Sequence, residues 1–303
     1  MNIIVKKYCS ILLVILLVLS SSSAFAAKKR KKCAKHRPPI QTSLVVDERT
    51  GRVLHSSNAN RKIYPASLTK VMTTYLIFES LASGKLNLKQ KFYVSKYATK
   101  ALPSKLYLKA GEKISVKDAI LALNVKSAND VARVVGENIA GSERKFARLM
   151  TVRARQLGMK HTTFTNASGW HDPKQVTTAV DLAKLSIAIK RDFPQYYHFL
   201  GQTSFSYKGK TIRGHNAVLA NYQGATGGKT GYHTPAGCNL ITSATRGNKS
   251  LVGIVTGRKS SAIRDKKMVQ LLDKHFAMNN NKAKFSNRRK QNDTVKVALS
   301  NKN

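Results

Sequence analysis

The spacing of apolar and polar positions changes along the chain. Thr42 to Asp47 alternates as a strand, Glu48 to Gly51 is a turn, and Arg52 to Ser56 returns, a hairpin with glycine at the turn. A helical period then begins at about Leu68 and runs to Ala82, with Val71, Met72, Tyr75, Leu76 and Phe78 on its apolar side and Gly84 as its stop. Further helices are predicted over Val116 to Leu123, Asp130 to Ile139, Glu143 to Leu157 with Ser142 as N-cap, and Thr178 to Lys190. Near the end the period returns to two. Asn239 to Thr245 and Ser250 to Val255 read as strands joined by Arg246-Gly247-Asn248-Lys249. Ser261 to Phe276 is a closing helix with Ile263, Met268, Leu271, Leu272 and Phe276 inward. Strands thus lie at both ends of the sequence and helices between them. That order predicts an α/β fold whose antiparallel sheet is built from N- and C-terminal strands around an inserted helical region.

The two ends of the chain have other patterns. Lys6 and Lys7, the apolar run Ile11 to Leu19, and Ala24-Phe25-Ala26 form the three parts of a secretory signal peptide, with cleavage after Ala26. The run is about half of the roughly 20 residues a spanning helix needs. Residues 27–40 read as a basic flexible tail, 41–277 as the folded domain, and 278–303, rich in Asn, Lys, Arg and Ser, as a second disordered tail. The expected location is therefore the periplasm or another extracytoplasmic face of the envelope. Cys9 falls in the leader, which leaves Cys33 and Cys238, too far apart in sequence to suggest a disulfide framework.

The formal net charge over the 303 residues is +40. Such a field draws polyanions without specificity. The densest runs, Lys28 to Arg37 and Lys282 to Lys290, lie in the tails, and give at most a weak association with an anionic envelope surface. Export, and the lack of any zinc, RNP-like or helix-turn-helix pattern, argue against a specific nucleic-acid partner. The eight histidines show no metal-peptidase spacing, so no metal and no cofactor are expected.

Three short motifs carry chemistry: Ser67-Leu68-Thr69-Lys70 (S-x-x-K), Ser127-Ala128-Asn129 (S-x-N) and Lys229-Thr230-Gly231 (K-T-G). Each is weak alone. Ser142-Glu143-Arg144-Lys145 also fits S-x-x-K, but capping explains Ser142, and Ser56-Ser57-Asn58 also fits S-x-N. Ser67 opens an apolar helix and Lys70 follows three residues on, on the same face. A serine nucleophile needs an adjacent base, and a lysine serves only if burial or another cation lowers its proton affinity. Ser127 sits on a short connection between two predicted helices. Gly227, Gly228 and Gly231 around Lys229-Thr230 allow a substrate backbone to lie close.

With these residues in view, the sequence resembles the low-molecular-mass penicillin-binding proteins, the D-alanyl-D-alanine carboxypeptidases and endopeptidases of serine peptidase family S11. The resemblance runs from about Ser43 to Phe276. It includes Tyr64 to Thr73, Ser127 to Asp130, Asn166-Ala167-Ser168-Gly169, and Lys229-Thr230-Gly231 followed by Ala236-Gly237. Ala128 stands where the family often has glycine, and the chain ends too soon for the second β-rich domain of longer members. The resemblance implies a transpeptidase fold shared with β-lactamases. It implies a peptidoglycan stem peptide ending in D-Ala-D-Ala as substrate and β-lactam antibiotics as inhibitors. Its roles, carried to this chain, make Ser67 the nucleophile, Lys70 its base and Ser127 a proton carrier. Asn129 would hold the substrate amide, Lys229 and Thr230 the terminal carboxylate, and the N–H groups of Ser67 and Tyr232 the oxyanion, with Gly231 between them on the strand.

Carboxypeptidase action is the expected activity. Endopeptidase cleavage of cross-links uses the same acyl-enzyme and stays open, as does, more remotely, a wall-binding protein without catalysis. A class A β-lactamase needs a deacylating glutamate beyond S-x-N. The last of the five glutamates is Glu143, with Asp172 the nearest substitute, so penicillin should leave slowly.

Overall fold

The computed structural model describes residues 38–277. The expected signal peptide, the basic stretch up to Arg37 with Cys33, and the expected tail over 278–303 lie outside the described residues.

The hairpin forms as β1 (Thr42–Asp47) and β2 (Val53–Ser57). A 3-10 turn over Ala66–Thr69 runs directly into α1 (Lys70–Ala82). There follow β3 (Lys91–Tyr93), a short α2 (Lys96–Thr99), β4 (Lys113–Ser115), α3 (Val116–Leu121), α4 (Asn129–Ala140), α5 (Glu143–Gln156) and α6 (Ala179–Asp192). The chain then makes a ribbon of β5 (Ser204–Tyr207) and β6 (Lys210–Arg213), a short α7 (Ala217–Asn221), and three long strands, β7 (Ala225–His233), β8 (Gly237–Arg246) and β9 (Lys249–Arg258). Helix α8 covers 261–277.

The main sheet is antiparallel, with order β2-β1-β9-β8-β7. β1 pairs with β9 from Thr42↔Thr256 to Asp47↔Leu251, so the two ends of the sequence meet at the sheet's centre, as the pattern predicts. α1 departs from the expected one-sided helix. Every residue from Lys70 to Phe78 is buried, because the helix passes through the centre of the core with neighbours all round.

The structure corrects the closing helix. Ile263 is 52% exposed, whereas Arg264 is 4% exposed. Met268, Leu271, Leu272 and Phe276 are buried as expected, joined by Arg264 and His275, so the face differs from the expected one only at Ile263. A charged residue holds the first inward position, and an apolar-only pattern misplaces the face there. The Gly-rich stretch Gly227–Gly231 lies inside a nine-residue strand, whose pairing with β8 overrides the low strand propensity of glycine. Helix α3 is shorter than its pattern suggests: after Leu121 the chain widens into a π-type turn over Ala122–Lys126 that delivers Ser127.

Candidate active site

All three motifs converge on one cleft of about 570 Å3, lined by Ser67, Ser127, Asn129, Thr230, Gly231 and Tyr232 among others. Its floor is the start of α1, one wall the connection before α4, and the other β7, the edge strand of the main sheet.

The turn that carries Ser67 is held against its own backbone preference. Ala66 has φ of 49°, a left-handed conformation that costs a non-glycine residue on the order of 1–3 kcal/mol. Two packed neighbours impose it. Asn239 on β8 donates from Nδ2 to the carbonyls of Tyr64 (3.0 Å) and Pro65 (3.3 Å). Gly169 presses its backbone on the turn so closely that a Cβ there would lie 1.8 Å from Ala66 O. Ser127 is the second strained residue, with φ of 60° at the end of the π-type turn. Both proposed hydroxyl groups therefore sit on turns fixed by distant parts of the chain.

Lys70 is fully buried. Its Nζ lies 3.0 Å from Ser67 Oγ, 2.7 Å from Asn129 Oδ1 and 2.6 Å from the Ser168 carbonyl. The Asn129 amide cannot turn over without loss, because Nδ2 donates to the carbonyls of Leu102 (2.9 Å) and Pro103 (3.1 Å). Burial, and then the charge of Lys229, hold the Lys70 pKa well below the usual lysine range against the opposing pull of Asp130 and Glu143.

Lys229 is 2% exposed and donates to Ser127 Oγ at 2.9 Å and to the Thr230 carbonyl at 2.9 Å. Burial, followed by the nearby Arg264 guanidinium, lowers its pKa to about 7. Thr230 Oγ1 lies 2.8 Å from His215 Nε2. Burial and the surrounding cations, Lys229 first, lower the His215 pKa to about 4, so the imidazole is neutral at neutral pH. Gly231 brings β7 against the Ser67 turn: a Cβ would sit 3.1 Å from Ser67 N and 3.2 Å from Leu68 N.

The sequence residues Ser67, Lys70, Ser127, Asn129, Lys229, Thr230, Gly231 and Tyr232 thus all lie in or against one cleft. Several further contributors carry no local signal. Ser168 supplies a backbone carbonyl to Lys70. Asp130 accepts the N–H groups of Leu106 and Leu108 and so fixes the loop that faces Asn129. Glu143, at the start of α5, turns inward and accepts Ala167 N at 3.0 Å and the Tyr97 hydroxyl at 2.6 Å, bracing the loop of Ser168 and Gly169. Arg264 and Lys259 line the cleft from α8 and the residues just before it. Asp172 accepts Lys174 N at 2.7 Å and does not line the cleft, and no acidic residue does among those described. The decoy Ser142 caps α5 by accepting Lys145 N. Cys238 is buried with a free thiol.

Residues 31–260 match the model of the peptidase S11 family, described as D-alanyl-D-alanine carboxypeptidase. The D-alanyl-D-alanine carboxypeptidase DacF of Bacillus subtilis is 30% identical over 78% of this chain and 62% of its own length. DacC of Escherichia coli is 34% identical over 76% of this chain and 59% of its own. The chain therefore spans about three fifths of these relatives. Among solved structures, penicillin-binding protein 5 of Haemophilus influenzae superposes with a TM-score of 0.75 at 31% identity, covering 80% of this chain and 72% of that one. Penicillin-binding protein D2 of Listeria monocytogenes, solved in a cefotaxime-bound form, gives 0.70 at 29% identity, covering 77% and 95%. The extent of the family match and these identities establish that the chain belongs to the peptidase S11 family, the D-alanyl-D-alanine carboxypeptidases.

Proposed function

We propose that this protein is a serine-type D-alanyl-D-alanine carboxypeptidase that acts outside the cytoplasm, in the periplasm or its equivalent, on peptidoglycan stem peptides, through an acyl-enzyme on Ser67. The observation that carries this reading is the environment of Lys70. A neutral amine has two N–H groups and one lone pair. The Ser168 carbonyl and Asn129 Oδ1 take the two N–H groups. The lone pair is then left for the hydroxyl of Ser67, 3.0 Å away. Burial and Lys229 favour that neutral form. Lys70 is thereby a base poised to take the serine proton.

The remaining steps follow from the same contacts. Ser67 Oγ attacks the carbonyl of the penultimate D-alanine while its proton passes to Lys70. The N–H groups of Ser67 and Tyr232 stabilise the oxyanion. Because Ser127 Oγ accepts from Lys229, its own proton is free to go to the leaving amine as the C–N bond breaks. Lys70 restores that proton, and water then hydrolyses the ester. The terminal carboxylate is held by Lys229, Thr230 and Arg264, the last also paired with Asp265 at 2.8 Å. If the His215 Nε2 carries its proton toward Thr230 Oγ1, the threonine hydroxyl is free to donate to that carboxylate. β7 offers its free edge to an extended substrate, which adds as one more strand.

The absence of an acidic side chain from the cleft lining leaves the ester without a deacylating base of the β-lactamase kind. A β-lactam adduct on this site is accordingly long-lived. Intact-mass spectrometry after penicillin treatment tests the reading, together with D-alanine release from a pentapeptide. One adduct, absent in Ser67→Ala, and D-alanine release lost in the same variant are expected. An adduct on Ser142, or release that survives Ser67→Ala, refutes it.

A further inference from the structure

Residues 91–109, from β3 to the loop that walls the cleft, carry five lysines and no acidic residue. None of the five is in an ion pair among the described residues. The carboxylates around the segment are already engaged. Glu137 accepts the Ser95 hydroxyl at 2.7 Å, Asp130 the N–H groups of Leu106 and Leu108, and Glu143 the Tyr97 hydroxyl. Glu112 pairs with Lys208 at 3.0 Å. The segment therefore presents positive charge that the fold does not neutralise.

The same segment gathers aromatic surface. Of the eleven large hydrophobic side chains exposed among the described residues, Tyr93, Tyr97, Leu102 and Tyr107 lie here, and Trp170 and Tyr232 line the cleft that it leads into. Lys105 lies 5.3 Å from the Tyr107 ring centroid and Arg133 4.5 Å from that of Tyr97. Single apolar side chains on a surface mean little, but a cluster beside a substrate cleft marks a contact surface.

Hydrogen bonds lay the segment along one helix. Tyr93 N donates to Asn138 Oδ1 near the C-terminal end of α4, and the Tyr97 carbonyl accepts from Arg133 further back. At the first residue of α4, Asn129 Nδ2 reaches the carbonyls of Leu102 and Pro103. The segment thus runs antiparallel to α4 for about 14 Å, at about 1.5 Å per helical residue. It ends at Pro103 and Ser104, which line the cleft. It is a strip with one end at Ser67 and the other well outside the site.

We infer that this strip binds the peptidoglycan polymer beyond the stem peptide being cut. The inference rests on the peptidase reading of Ser67 and says where the rest of the substrate lies. A tyrosine ring has an apolar face and a hydrogen-bonding tip. That suits a pyranose ring, apolar on its faces and hydroxylated on its rim. The lysines meet the carboxylates of neighbouring stems. Each contact is weak, but several on one polymer hold its stems at high effective concentration beside the cleft. A lipid surface fits less well, because an interfacial anchor needs a continuous apolar face and Leu102 is the one large aliphatic side chain exposed on the strip.

The test compares D-alanine release from a soluble acyl-pentapeptide with release from isolated, insoluble peptidoglycan that carries pentapeptide stems. Penicillin acylation reports whether the cleft is intact. The first variant is Tyr93→Ser with Tyr107→Asn, both at exposed positions, asparagine being chosen because residue 107 has a φ of 60°. Tyr97 is left in place because its hydroxyl bonds Glu143. Release from the polymer should fall about tenfold, while soluble peptide and penicillin acylation stay within about twofold of wild type. Lys96→Glu with Lys100→Glu, also exposed, should act in the same way, and its deficit should vanish at about 0.5 M salt. Equal losses on both substrates, or no loss on either, overturn the strip and leave the peptidase standing. Variants that lose adhesion to phosphatidylglycerol vesicles yet keep full activity on the polymer assign the strip to lipid and overturn the inference. A wild-type protein with neither a Ser67 adduct nor D-alanine release overturns both readings.

Discussion

Replacing Asn129 with aspartate changes one heavy atom and sets a negative charge 2.7 Å from Lys70 Nζ. At an effective dielectric constant near 20, the attraction between unit charges at that distance is about 6 kcal/mol. That attraction favours the charged amine and raises the Lys70 pKa. The new carboxylate is itself buried, and its second oxygen faces the carbonyls of Leu102 and Pro103, so part of the gain is lost. Each unit by which the amine pKa climbs past the assay pH removes about tenfold of the neutral base. Acylation by a fluorescent penicillin at pH 7.5 should therefore fall by at least about 100-fold. The deficit should shrink as pH is raised toward 10. Asn129→Ala is the control, since it removes the same ties to Leu102 and Pro103 and adds no charge. Its deficit should be smaller and flat with pH. Second-order acylation rates for the three proteins between pH 6 and 10, with thermal melts to confirm folding, decide the matter. If Asn129→Asp acylates within a few-fold of wild type at pH 7.5, or shows the same flat profile as Asn129→Ala, Lys70 is not a neutral base.

Two other predictions concern stability. Lys229 has a pKa of about 7 in the fold against an ordinary value of 10.5. Between those values the unfolded chain holds a proton that the folded chain has released, so stability rises with pH across this window. The melting temperature should increase from pH 7 to about 9.5, and Lys229→Met should flatten that rise in scanning calorimetry; an equal slope in both proteins would show that Lys229 is protonated in the fold. Gly169→Ala puts a Cβ against Ala66 O at a φ of 85°, and should cost on the order of 2–4 kcal/mol and at least tenfold in acylation rate. Denaturant titration and penicillin labelling measure both, and a neutral outcome means that the nucleophile turn does not depend on this contact.

The parts of the molecule that could be read from its sequence are those whose signal is local. β1, β2, β8, β9 and the long helices announce themselves by period, and Ser142 by capping chemistry, accepting the backbone N–H three residues on; Thr178, expected inside its helix, caps it in the same way. Ser67 and Lys70 are three apart, so one turn of helix suffices to join them. The other links in the site span the chain. Lys70 to Ser168 is 98 residues, Ser127 to Lys229 is 102 and Asn239 to Tyr64 is 175. Spacing holds no information about such pairs; only the ordered set of three motifs hinted at them. Ile263 and Glu143 show the converse error. A rule that sends apolar groups inward put Ile263 in the core, where Arg264 in fact lies because the cleft needs a cation there. Glu143 drew notice in the sequence only as the last glutamate and as part of a chance S-x-x-K match. Its carboxylate instead holds Ala167 N, one residue from the carbonyl that receives Lys70. Arg264 is paired with its own neighbour Asp265 at 2.8 Å, whereas Glu143 is buried because partners from distant segments meet it there, which a sequence pattern cannot supply. The environment of Lys70 depends on the same circumstance: three separate stretches of chain, at Ser67, Asn129 and Ser168, close around its buried amine.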